Sequence, residues 1–169
     1  ANEGDTVLSE DPAFVGALNT FRSYGVNLVG IPMEDDGMDI AALKKALEEQ
    51  KNVKFLYTIP SFHNPLGTCT SYEKRKEIYA LCREHGVMIL EDNPYGELRF
   101  DGEDIPTLKS MDTDGIVIYT SSFSKVMSAG IRLGFVIAPK PVLDKMAVGK
   151  QAVDTHSNLF FQILIAEYM

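Results

Sequence analysis

Short β-branched runs alternate with amphipathic helical stretches along most of the chain, and this alternation restricts the fold more than any other feature. Strands linked through helices build a mainly parallel sheet covered on both faces. The runs predict strands near 6–9, 26–31, 53–58, 87–91, 116–120 and 134–138. The first helix is expected to take Asp11 as N-cap and Pro12 at its first position, to bury Phe14 or Val15 with Leu18 and Phe21, and to stop at Gly25. Asp39 opens a second helix with Ile40, Leu43 and Leu47 on one face. Thr70-x-x-Glu73 reads as a capping box for a third, which buries Ile78, Leu81 and Cys82 before Gly86. Two more helices are expected at roughly 140–150 and 155–169. The link between the last two strands is too short for a helical crossover, so the last strand is expected to run antiparallel. The fold class is therefore α/β, a three-layer α/β/α arrangement with a mainly parallel sheet.

In such sheets ligands sit beyond the carboxyl ends of the strands, where loops from separate strands meet. Ser122-Phe123-Ser124-Lys125 follows one such end, with Arg132 seven residues later in Gly130-Ile131-Arg132-Leu133-Gly134. A lysine amine can condense with an aldehyde to a Schiff base, while hydroxyls and a guanidinium nearby can hold phosphate oxygens. Two other apolar runs also end in polar residues. One leads into Ser61-Phe62-His63-Asn64-Pro65-Leu66-Gly67, the other into Glu91-Asp92-Asn93-Pro94-Tyr95-Gly96.

Composition narrows the classes further. A chain of 169 residues is enough for one domain with a real core. With 45% hydrophobic and 24% charged residues it reads as an ordinary globular protein. The net charge of −8 argues against a nucleic-acid surface. Cys69 and Cys82 have no metal or redox spacing, and His63, His85 and His156 are too scattered for a metal site, so no metal is expected. A reduced, cytoplasmic setting fits these cysteines. No stretch approaches the ~20 apolar residues of a membrane span, and the first residues lack a basic-then-apolar signal. The chain opens almost directly into a strand and closes inside the apolar 159–169 stretch without a Gly or Asn cap, which reads as a fragment of a longer polypeptide.

Asn64-Pro65-x-Gly67, Asp92-x-x-Tyr95 and Ser122-x-x-Lys125, with Arg132, together resemble the class I/II aminotransferases, enzymes of pyridoxal 5′-phosphate (PLP) fold type I. The resemblance covers essentially all 169 residues. Its wording is similar to the branch holding 2-aminoadipate and aromatic aminotransferases and the aminotransferase-like domains of MocR-type regulators. It implies that residues 1–169 are the PLP-binding large domain, without the preceding phosphate-cradling segment, the small domain or its substrate-binding arginine. Such a fragment is expected to be inactive alone.

The resemblance also assigns roles. Lys125 would form the Schiff base and then move a proton as base and acid. Asp92 would face the pyridine nitrogen and keep it protonated, while Tyr95 would donate to the 3′ oxygen and Asn64 to the same oxygen or to the substrate carboxylate. Ser122, Ser124 and Arg132 would hold the phosphate, and Phe14 would stack on the ring. Ordinary rivals stand beside these roles: an exposed strand-end side chain for Lys125, a helix N-cap or turn for Asp92, a turn for Asn64 and Ser124, a packing ring for Tyr95, a surface ion pair for Arg132, core for Phe14. The implied activity is transfer of an amino group between an amino acid and a 2-oxo acid in a homodimer. A sensing domain of a MocR-type regulator and a C–S lyase on the same scaffold are the alternatives.

Overall fold

All six expected strands form, and a seventh, too short to leave a sequence signal, joins them. The computed structural model describes residues 1–169. Its strands are β1 (Thr6–Asp11), β2 (Asn27–Glu34), β3 (Gly37–Met38), β4 (Val53–Thr58), β5 (Met88–Asp92), β6 (Val117–Ser122) and β7 (Gly134–Ile137). They lie in one sheet in the order β3-β2-β1-β4-β5-β6-β7. The central five pair in parallel. β3 and β7 run antiparallel at the two edges, and for β7 the cause is the short return from β6.

The helices are α1 (Val15–Ser23), α2 (Ile40–Glu49), α3 (Tyr72–Glu84), α4 (Leu108–Met111), α5 (Phe123–Val126), α6 (Lys140–Val153) and α7 (Leu159–Tyr168). Strand side chains alternate between faces, and β4 shows what that does here. Leu56 is fully buried in the main core with Leu8, Ile31, Ile89 and Val117, packed beneath Leu43 of α2, Ile78 of α3 and Leu108 of α4. Its neighbours Phe55 and Tyr57 point the other way, where the Phe21 ring of α1 meets them edge-on at 5.3 and 5.4 Å. Helices thus cover both faces. Each fully buried Leu or Ile is worth about 1.5–3 kcal/mol relative to exposure.

Helix starts depart from expectation in three places. Asp11 caps nothing, because β1 runs through it in register with Pro32. The chain turns only after Pro12, so α1 begins at Val15 with no side-chain cap. α1 therefore buries no residue completely, and Phe14 and Val15 are 41% and 61% exposed. The cap of α3 is Ser71 instead of Thr70, its hydroxyl accepting from Lys74 N–H, while Glu73 pairs with Lys76. Thr70 is committed elsewhere, with its N–H bonded to the Pro60 carbonyl and its side chain filling the space above Gly37. The last helix starts at Leu159, capped by Asn158, four residues later than the pattern suggests. It buries Ile165 and leaves Leu159, Phe160 and Ile163 exposed.

Asp112 organises the turn that feeds β6. Its side chain is fully buried and accepts from Lys109 Nζ at 2.9 Å and from the N–H groups of Gly115, Ile116 and Val117. Burial pushes the carboxyl up, but Lys109 and these amides overcome it and bring it down to about 2. A lowered native pKa contributes stability that is present above the unfolded value near 4 and lost as pH falls toward 2. Asp112→Asn is expected to cost about 2 kcal/mol at neutral pH and to flatten the acid limb of the melting curve between pH 4 and pH 2. An unchanged acid limb would refute this account.

Candidate functional site

The five parallel strands end on one side of the sheet, and the antiparallel β7 starts there. Phe14 follows β1, Asn64 follows β4, Asp92 closes β5, Tyr95 comes three residues later, Ser122 closes β6, and Arg132 precedes β7. The chain folds back after β6 through α5, which carries Ser124 and Lys125. β1 leads to β2 on one side and its other neighbour is β4, so the strand order reverses between β1 and β4, where open α/β sheets bind ligands.

Asp92 is the electrostatic centre. Its Oδ2 accepts the Tyr57 hydroxyl at 2.8 Å and its Oδ1 the Thr120 hydroxyl at 3.3 Å. Burial raises its pKa above the ordinary value, the Tyr57 and Thr120 bonds pull it back, and the Glu10 charge adds to the rise. Tyr57 itself is pushed far up by burial and then by Asp92, so it stays a hydroxyl donor. The carboxylate is thereby held between two donors, and its raised proton affinity suits it to face a cationic N–H. Glu91, one residue earlier, points through the sheet to the opposite face and accepts from the Leu108 and Lys109 amides.

Lys125 is exposed, with Nζ 5.6 Å from the centre of the Tyr95 ring. Beside it, Ser122 Oγ accepts the Ser124 N–H at 3.1 Å. An Nη of Arg132 reaches Ser124 Oγ at 3.4 Å and the Ala129 carbonyl at 3.1 Å. Arg132 is held in the left-handed region at φ 55, a conformation that costs a non-glycine residue energy and often marks a functional position. It pairs with no carboxylate, which leaves donors free for an anion.

Gly134 sets the spacing of this corner. It stands opposite Ser122 across the β6–β7 pair, and a Cβ there would lie 2.6 Å from the Ser121 carbonyl oxygen. Gly134→Ala is therefore expected to destabilise the fold by about 1–3 kcal/mol and to weaken phosphate binding by moving Arg132 away from Ser124. Thermal melting and inorganic phosphate titration check the two effects; unchanged values in both would refute the close approach.

All eight residues singled out from the sequence line one cavity of about 440 Å³: Phe14, Asn64, Asp92, Tyr95, Ser122, Ser124, Lys125 and Arg132. Phe14 stands on its wall, not in the core, its ring occupying the space a side chain at Gly16 would fill. Asp92 caps no helix. A larger groove of about 630 Å³ is lined by Asn93, Glu97, Arg99 and Asp104 without any lysine. The residue types around the smaller cavity fit PLP: an amine for the aldehyde, an anion for the ring nitrogen, donors for the phenolic oxygen, and hydroxyls with a guanidinium for the phosphate.

Four residues that shape the site went unmarked in the sequence reading. Tyr57 and Thr120 hold Asp92, and buried Glu10 and His63 stand behind Asn64. Tyr57 and Thr120 sit on the strands flanking Asp92, and only knowledge of the strand order reveals that.

Comparison with known proteins agrees with the geometry. Aromatic-amino-acid aminotransferase 1 of Thermococcus litoralis is 38% identical over 99% of this chain and 41% of its own length. An uncharacterized HTH-type transcriptional regulator of Bacillus subtilis, YisV, is 39% identical over 96% of this chain and 34% of its own. Among solved structures, the alpha-aminoadipate aminotransferase LysN of Thermus thermophilus, complexed with N-(5′-phosphopyridoxyl)-L-leucine, superposes with a TM-score of 0.94 at 36% identity, over 99% of this chain and 43% of that one. The chain thus spans about two-fifths of the length of the aminotransferases it matches. The model of the family described as aminotransferase class I and II matches residues 1–166, and to that family the chain belongs.

Proposed function

We propose that this chain is the cofactor-binding large domain of a PLP-dependent aminotransferase, which moves an amino group between an amino acid and a 2-oxo acid. The observation that carries the proposal is the convergence of Lys125, on α5, and Asp92, at the end of β5, on one cavity. Bound PLP would supply an electron sink for the pair left at the substrate α-carbon. Lys125 holds the aldehyde end through Nζ and, when freed, takes up and returns a proton at that atom. Asp92, oriented by Tyr57 and Thr120, keeps a proton on the ring nitrogen. Tyr95 and Asn64 donate at the phenolic oxygen, Phe14 covers the ring face, and Ser122, Ser124 and Arg132 bind the phosphate.

Further segments before and after this domain, a homodimeric assembly, a biosynthetic role and a cytoplasmic location complete the reading. The exposed apolar Leu159, Phe160 and Ile163 of α7 support burial against more protein. The free thiols Cys69 and Cys82 support a reducing compartment. No helix is long and apolar enough to cross a membrane. Borohydride reduction of the full-length protein with PLP, followed by peptide mapping, tests the site: the modified peptide is expected to contain Lys125. A panel of amino donors with 2-oxoglutarate then tests the reaction, and sedimentation the dimer.

A second reading, a PLP-sensing domain of a MocR-type regulator, is favoured by the likeness to the Bacillus subtilis protein. Cofactor on Lys125 without turnover of any donor, and a basic winged-helix segment ahead of this domain, would select it.

A further inference from the structure

Three buried polar side chains, Glu10, His63 and Arg75, stand behind the turn that carries Asn64, and none lines the cavity. Glu10, near the end of β1, is 1% exposed. Its Oε1 accepts the Thr58 hydroxyl at 2.6 Å and its Oε2 the Ile59 N–H at 2.8 Å. His63 Nε2 lies 3.1 Å from Oε2, a close polar contact off the line of a hydrogen bond, and makes no hydrogen bond of its own. Its Nδ1 accepts the Leu66 N–H at 3.3 Å, which leaves Nε2 to carry the ring proton toward Glu10. The turn then closes on itself, with His63 N–H on the Thr68 carbonyl and Gly67 N–H on the His63 carbonyl. From the far side, fully buried Arg75 donates to the carbonyls of Thr70 and Pro60 and to Ser61 Oγ.

Burying a carboxylate is costly unless donors surround it. Here the donors are the Thr58 hydroxyl and the Ile59 N–H at the end of β4, with the His63 ring of the turn in close contact beside them. The bonds to Thr58 and Ile59 and the contact with His63 therefore tie both ends of the path into the turn to one buried side chain, and Asn64 follows His63 directly. Phe62, just before His63, sits at φ 52, a conformation that persists only where surrounding contacts over-determine it.

We propose that Glu10 is a positioning residue for the cavity, acting through His63 to hold the Asn64 amide in the orientation from which it donates to the cofactor. The proposal rests on reading the cavity as a PLP site. Tyr57 of β4 and Asp92 of β5 also face Glu10 and feel its charge, so the test must separate positioning from direct electrostatics. Donation by Asn64 to the phenolic oxygen stabilises the deprotonated form of the bound cofactor. Loss of a hydrogen bond to a charged group moves such a midpoint by about one unit or more.

The test uses the full-length protein and follows the pH midpoint of the bound cofactor's absorbance in Glu10→Gln, Asn64→Ala and the double variant. Positioning predicts that Glu10→Gln raises the midpoint in the same direction as Asn64→Ala, and that the double variant rises no further than Asn64→Ala alone. In the cofactor-free protein, Glu10→Gln should speed amide exchange at Leu66 and Gly67 at least tenfold. Should Glu10→Gln not fold, His63→Gln takes its place with the same readouts. An unmoved midpoint with unchanged exchange overturns the positioning role, as do shifts that add fully. If the unaltered protein takes up no cofactor at Lys125, the cofactor reading itself falls and this proposal with it.

Discussion

Lys125→Ala in the full-length protein is expected to abolish borohydride-stable attachment of PLP and to lower transamination by about four orders of magnitude. A positioned acid and base contributes about 10²–10⁴-fold, and the covalent hold on the cofactor is lost with the same side chain. The fold should survive, because Lys125 is exposed and makes no hydrogen bond or ion pair in the protein, its Nζ standing 5.6 Å from the centre of the Tyr95 ring. Melting of the cofactor-free variant within a degree or two of the parent would confirm that the loss is chemical. Full labelling of the variant at another lysine would end the assignment.

Asp92→Asn should cost about a thousandfold in turnover while leaving the cofactor-free fold as stable as before, or more so. An ion pair at about 4 Å in surroundings of effective dielectric near 20 is worth about 4 kcal/mol, and each 1.36 kcal/mol is tenfold in rate. The stability prediction follows from the sign of the shift. Burial raises the Asp92 pKa, so the ionised group is strained in the fold and a neutral amide of the same shape relieves that strain. Tyr57→Phe removes one donor to the carboxylate and should cost only about ten- to a hundredfold. Steady-state kinetics and thermal melting on the same preparations check all three numbers. A large drop in melting temperature for Asp92→Asn would contradict the argument.

The elements read best from the sequence are those whose signals are local. Asp39 caps α2 through the Ala42 N–H, and Leu43 and Leu47 are buried as their spacing demands. β4 spans the anticipated 53–58. Errors arose where a local signal competed with pairing partners distant in sequence. Asp11-Pro12 has the chemistry of a helix start, yet Asp11 is held in the β1–β2 ladder. Thr70-x-x-Glu73 has the spacing of a capping box, yet Thr70 is bonded to Pro60 and packed over Gly37. β3 escaped notice because two residues carry no periodicity, and it exists only because β2 offers them an edge.

The order of residue types along the chain, Asn64, Asp92, Tyr95, Ser122, Lys125 and Arg132, each at a strand end or just beyond, carried the resemblance to a family, and that resemblance implied a cofactor and a role for each. Side-chain chemistry and its place relative to local β-runs are properties of single segments. Which strand lies beside which is not, since sheet order arises from the burial of the whole core. That order alone brings Tyr57 and Thr120 to the two oxygens of Asp92 and sets Glu10 behind Asn64. The residues that gather at the cavity were thus legible in one dimension, whereas those packed and bonded behind them became visible only once the sheet had closed around them.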